Sequence, residues 1–523
     1  MRLPSVMKHD FSKSPQALIP RSAFNRSFGT KLTFDADLLI PFYVDEILPG
    51  DTHNLKATVF ARFATLLFPI MDNVFLDFQF FFVPNRLVWE HWEQFNGYQK
   101  NPTDTTDYLI PTVTSSNATD FDENSIYDYF GIATKVANLE INSLPLRCYN
   151  LIRNSWYRDE NLQDSVIENV DDGPDSPSDY VLLNRGKRYD YFTSSLPEPQ
   201  KGPAVEMPLG TTAPVRGDGV TAPYFSNLTN AYNLEITSGD AHAYWGAVPA
   251  GASHVATFNA GTPTGLYADL SQATAATINT FRQAVTIQRM YERDMRGGTR
   301  YQELIWSHFG VNAGDARLQR PELLSAFSVP LNVSTVPQTA PASGGSTPLA
   351  NLAAFGHLTG HQIGFVKSFV EHGYVIGLMS ARADLTYQQG TDRMWFNSTR
   401  FDFYWPEFAN LGEQAVLKRE IYTQGTSDDL TAWGYQEAWA HYRYKNSKVL
   451  GLFRSNATGT LDSWHLSEDL LNPDLNDEFI QSNTPTTRVK AVNTQPDFYA
   501  DISFKLISVR AMPMYSVPGL TRL

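Results

Sequence analysis

His357 and His361, in GHLTGH, have the four-residue spacing with which two imidazoles on one helical face can hold a metal ion. Gly356 and Gly360 in the same hexapeptide argue against a helix, so the pair reads as loop or core histidines. Asp171, Asp172, Asp175 and Asp179 in DDGPDSPSD are oxygen donors of the kind that collect calcium, but they miss the EF-hand spacing and read as a solvated loop. Cys148 is the single cysteine, which rules out an intrachain disulfide and a Cys-cluster zinc site. With no His/Asn partner motif nearby it reads as a small buried hydrophobe. Arg216-Gly217-Asp218 is an RGD tripeptide, a short pattern that chance produces easily. There is no P-loop, no GxGxxG after a strand, no GxSxG elbow and no HExxH. No catalytic residue, metal ligand or cofactor site emerges.

One binding pattern remains. Residues 1–34 space Arg2, Lys8, Lys13, Arg21, Arg26 and Lys31 among Phe11, Phe24 and Phe28, against Asp10 alone. Cations neutralise phosphates and aromatic rings stack on unpaired bases, so this arm suits a nucleic acid. It equally suits packing on a neighbouring subunit, and the two roles are compatible. The chain as a whole carries a net charge of −14, so a basic arm on an acidic body implies two faces with different partners.

The elements that must position these residues read mainly as β. Hydrophobic residues make up 42% of the 523, charged residues only 18%, and aromatic residues 13%, beside 31 Pro and 33 Gly. That balance favours strands and turns around a large core. In KLTFDADLLIP, Leu32, Phe34, Ala36, Leu38 and Ile40 alternate with polar residues, predicting one half-buried strand from Lys31. LPGDTH (48–53) predicts a turn, and residues 55–68 a second strand. In VFLDFQFFFV (74–83), Leu76, Phe78, Phe80 and Phe82 share one apolar face and the other face is mixed. Pro84 ends that strand, and Asn85 is placed to cap a helix whose face carries Val88, Trp92 and Phe95. Helices are also expected over 144–162 and 277–295, and strands over 364–387 and 500–510. The 246–265 stretch, rich in Gly, Ala, Thr and Pro, reads as an exposed insertion, and 339–348 as a linker. Antiparallel strands so far apart in sequence imply a sandwich closed by long-range pairing. Arg62, Pro69, Asp72 and Asp77 interrupt the most apolar stretch, so no membrane insertion is expected, and no secretory h-region precedes it.

The run IPFYVDEILPGDTHNLKATVFARFATLLFPIMDNVFLDFQFFFVPNRLVWEHWEQF (40–95) resembles the microvirus capsid protein family, in its gokushovirus branch. FFVPNRLVWEHWEQF is its most specific piece, supported by residues 144–162, 291–310, 369–382 and 433–455. The resemblance spans nearly the whole chain and is weakest over about 164–275. It implies an eight-stranded antiparallel viral jelly roll with long insertions between strands. It implies a T=1 icosahedral shell around a circular single-stranded DNA, in a virion made in a bacterial cytoplasm. Residues 1–30 would then be an interior-facing arm and 31–523 one capsid domain. Within it, about 202–270 would be a threefold surface protrusion, with Arg216, Asp218, Tyr224, Tyr244 and Trp245 as its host contacts. Other virion or scaffolding proteins and a host surface glycan would be further partners. The rival reading is a glycan-active or glycan-binding β-sandwich, for which no spacing nominates a carboxylate pair.

Overall fold

A computed structural model describes residues 20–203, 205, 215–217, 224–226, 231–233, 266–268, 278–298, 300–310, 320–339 and 349–515. Contacts divide the chain into two compact units, one of residues 1–199 and 296–523, the other of 200–295.

The first unit is built on ten long-range strands. They are β1 (Ser22–Asn25), β2 (Phe28–Phe34), β3 (Ile40–Ile47), β4 (Thr52–Phe63), β5 (Val74–Pro84), β6 (Glu322–Pro330), β7 (Asn332–Pro337), β8 (Leu352–Ser368), β9 (Gly373–Ala383) and β10 (Phe498–Arg510). One sheet runs β1-β10-β4-β8-β7, with β2 pairing β10 beyond β1; the other runs β6-β5-β9-β3. Every pairing is antiparallel. The two sheets hold two strands more than the eight expected. β1 lies end to end with β2 along β10, and β7 is a hairpin extension on β8.

Alternation builds the core. Leu55, Ala57, Val59, Ala61 and Phe63 of β4 and Ile502, Phe504 and Leu506 of β10 are buried, and the residues between them are exposed. Leu76, Phe78, Phe80 and Phe82 of β5 face them from the other sheet, as the sequence pattern requires. Ring contacts cross the gap: Phe42 lies 6.0 Å from Phe504 and Phe80 5.5 Å from Phe365.

The mixed face of β5 is buried too. Phe81 and Val83, with Tyr374, Ile376 and Leu378 of β9, lie under a second cluster supplied by residues 85–183. This cover includes α1 (Leu144–Ile152), where Cys148 is fully buried and burial pushes its thiol up, as expected of an inert core cysteine.

Three local expectations are corrected. The strand read from Lys31 to Ile40 is two strands, because Asp37 sits at φ 67° between β2 and β3. Its buried carboxylate accepts from Ser482 Oγ at 2.6 Å and Thr484 Oγ1 at 2.8 Å, which holds the break. The helix expected after Pro84 is a 3-10 turn at Asn85–Leu87 and one helical turn at Trp92–Phe95. Asn85 caps neither through its side chain; its carbonyl accepts from Val88 and Trp89. The acidic loop is not simply solvated. Asp175 is buried against Arg147, whose guanidinium meets both carboxylate oxygens at 2.6 and 2.8 Å. Asp172 accepts from Trp89 Nε1 at 2.8 Å and lies 2.8 Å from His91 Nδ1, and together these tie the segments of the cover to one another.

In the second unit, strands 215–217 and 266–268 pair antiparallel, as do 224–226 and 231–233. α2 (Ile278–Arg296) follows, matching the helix expected over 277–295.

Candidate nucleic-acid interface

The outer face of the β5-β9 sheet is covered, whereas the outer face of the β10-β4-β8 sheet stays exposed among the described residues. Strand period two decides what it presents. With the apolar set turned inward, β4 turns out Lys56, Thr58, Phe60 and Arg62, and β10 turns out Tyr499, Asp501, Ser503 and Lys505. β2 adds Lys31 at the end of the same face.

Register brings these residues into rows. Lys505 stands directly opposite Lys56, Tyr499 opposite Arg62, and Asp501 between Phe60 and Lys31. Like charges facing each other across a ladder destabilise it, so the Lys56–Lys505 pair does not add to the stability of the sheet. The Arg62 guanidinium lies 5.6 Å from the Phe60 ring centre, and Lys31 reaches Asp501 at 3.5 Å in an exposed ion pair. Across β2, β4 and β10 this face offers four cations against one carboxylate, interleaved with Phe60 and Tyr499. At its β2 end a hollow of about 670 Å³ is lined by Lys31, Phe60, Arg62, Tyr129, Tyr499 and Asp501. Cations beside exposed rings on a flat sheet can pair with phosphates and stack bases without reading sequence.

The residues singled out from sequence are only partly gathered here. Lys31 lies on the face. Arg21 donates to the Gly50 carbonyl and to Thr52 Oγ1 at 3.4 Å, at the opposite end of β4. Arg26 is committed to Asp45 in a two-pronged pair at 2.7 and 2.8 Å, which raises its already high pKa. Arg2, Lys8 and Lys13 lie outside the described residues, as do Asp218, Tyr244 and Trp245. Arg216 and Tyr224 fall on short strands of the second unit. Lys56, Phe60, Arg62, Tyr499 and Lys505 were missed. The signal that finds them is the alternation in KATVFAR and YADISFK, whose polar phase repeats cations and rings.

The histidines of GHLTGH lie on β8, so the helical spacing does not apply. Four strand residues set two side chains on one face about 13 Å apart, too far for one ion. No group of three or more His, Cys, Asp or Glu among the described residues is placed to hold a metal ion. No described helix is long and apolar enough to cross a membrane.

Two packed antiparallel sheets, one outer face covered and the other exposed, leave a broad surface free for contact among the described residues. In comparison with known proteins, residues 12–520 match the model of the phage family described as capsid protein (F protein). The chain is 50% identical to capsid protein VP1 of Bdellovibrio phage phiMH2K, across 98% of both chains. It is 45% identical to capsid protein VP1 of Chlamydia phage 1, across 100% of this chain and 99% of that one. It is 36% identical to capsid protein VP1 of Spiroplasma virus 4, across 98% of both. The chain belongs to the phage F-type capsid protein family. It is a capsid structural protein rather than an enzyme, it self-assembles, and its place is the virion.

Proposed function

We propose that this chain builds a small T=1 icosahedral shell around a circular single-stranded DNA, with the exposed β10-β4-β8 face and the 1–30 arm turned inward. The observation that carries the reading is the asymmetry of the sandwich. One outer face is sealed by residues 85–183, and the other shows Lys31, Lys56, Arg62 and Lys505 beside Phe60 and Tyr499. The strand order supports a jelly roll within the 31–523 capsid domain. β2-β10-β4-β8 faces β3-β9-β5-β6, so among these eight each successive strand crosses between sheets except β5 to β6, which pair. Arg2, Lys8 and Lys13 add further cations in the sequence of the arm, and single-stranded DNA is the partner that uses both cations and rings. The 202–270 insertion is the outward, threefold element. There Arg216, Asp218, Tyr224, Tyr244 and Trp245 meet a host surface glycan. Scaffolding or other virion proteins join assembly in the bacterial cytoplasm.

The test is electron microscopy, with nuclease protection on the same fraction, of particles from cells carrying the whole phage gene set. Uniform small particles holding nuclease-resistant single-stranded DNA are expected. Soluble monomers from those cells would overturn the proposal.

A further inference from the structure

We infer that the aromatic loop at residues 393–411 is a preformed contact knob that seats on a second copy of this chain. The inference rests on the shell reading and names one of its working surfaces.

The loop lies between β9 and the hairpin strand Glu413–Leu417, and contains three short 3-10 turns but no longer element. Its large side chains point to solvent: Trp395 is 71% exposed and Phe401 62%, with Phe403, Tyr404 and Trp405 also exposed. In a monomer, so much contiguous aromatic surface is an unmet hydrophobic cost.

The loop is nonetheless held in shape. The Asp402 carboxylate accepts from the Ser398 and Thr399 backbone N–H groups at 3.0 and 2.7 Å. Trp405 Nε1 donates to the Arg400 carbonyl at 3.0 Å, and the Arg400 guanidinium lies 5.5 and 5.4 Å from the Phe401 and Trp405 ring centres. Phe401 packs on Phe408, whose carbonyl accepts from Trp439 Nε1 at 3.0 Å. A surface ordered before binding avoids the entropy of ordering on contact, and exposed Trp, Tyr and Arg are the residues that anchor protein interfaces.

The occupant follows from shape and charge. Arg393 and Arg400 are balanced by Asp402 and Glu407, so nothing favours a polyanion. The rings of Trp395, Phe401, Phe403, Tyr404 and Trp405 are exposed, whereas a small-molecule site is a concave pocket that buries its ligand. An exposed, neutral, aromatic surface fits an apolar surface of another protein. In a protein that self-assembles, a neighbouring copy is the partner always present, through a head-to-tail contact that closes by symmetry.

The test places a benzophenone amino acid at position 395 and irradiates purified particles. Trp395→Asp, Phe401→Asp and Trp395→Tyr chains are expressed alongside with the whole phage gene set. The expected adduct joins position 395 to a second copy. Each Asp variant should lower particle yield at least about tenfold with unchanged circular dichroism, while Trp395→Tyr assembles. No adduct, an adduct only to a different protein or to a glycan, or Asp variants assembling at wild-type yield would overturn the inference and leave the shell reading standing. Absence of particles from the wild-type chain itself would overturn both.

Discussion

Replacing the four cations of the exposed sheet face should change how DNA binding responds to salt. The variant is Lys31→Gln, Lys56→Gln, Arg62→Gln and Lys505→Gln together, four residues that share one face by register. Each phosphate contact on a single strand adds about 0.7 to the slope of log affinity against log salt, so four contribute about 2.8. Between about 50 and 200 mM salt the wild-type chain should therefore lose roughly fifty-fold more affinity than the variant does. The assay is fluorescence anisotropy of a labelled single-stranded oligonucleotide against unassembled subunit across that salt range. Unfolding does not mimic the result. Removing the Lys56–Lys505 opposition should stabilise the ladder by about 0.2–1 kcal/mol, and the exposed Lys31–Asp501 pair contributes about 0–1 kcal/mol at most. A variant slope within about half a unit of wild type would refute the reasoning, because these cations would then touch no phosphate.

Three further outcomes test the packing. Arg147→Met leaves the Asp175 carboxylate buried without its cation and should cost about 3–5 kcal/mol in urea unfolding, whereas Arg147→Met with Asp175→Leu should recover most of that; equal losses in the two would contradict the pairing. Gly364→Ala should cost about 1–3 kcal/mol by the same assay, because a Cβ there meets the Leu55 carbonyl across the β4–β8 ladder, and a neutral effect would show that the strands can part. Burial, with Arg393 adding to it, pulls the His441 imidazole down to about 4. The unfolded chain takes up that proton near pH 6.5, so stability should fall as pH drops from about 6.5 towards 4. His441→Gln should flatten that part of the profile, and identical profiles would count against the burial argument.

The strands whose faces differ in polarity were legible. β4 and β10 bury one phase and expose the other, and that phase alone locates both the core and the basic face. The break at Asp37 was not legible, because its partners Ser482 and Thr484 lie more than four hundred residues away. The helix expected at Val88–Phe95 gave way to tertiary demands for a similar reason. Trp89 is fully buried and bonded to Asp172, a position that the Val88–Trp92–Phe95 period leaves on no face. The acidic loop looked solvated because sequence shows charge but not the distant arginine that neutralises it. The site was half visible. The arm's cations stand out by composition, whereas those of β4 and β10 are dispersed in sequence and meet only through register.

The position of β10 bears on how the protein is made. This strand lies between β4 on one side and β1 and β2 on the other, yet it is the last of the ten to leave the ribosome. Until it arrives, β4 and β8 hold an unfilled edge, and β1 and β2 have no sheet to join. Closing that gap joins segments more than four hundred residues apart, a slow step in any folding reaction. The rows that set Lys505 against Lys56 and Tyr499 against Arg62 therefore form only once β10 has been made. A chain ended before β10 lacks Lys505, Tyr499 and the strand that aligns Lys31 with Arg62.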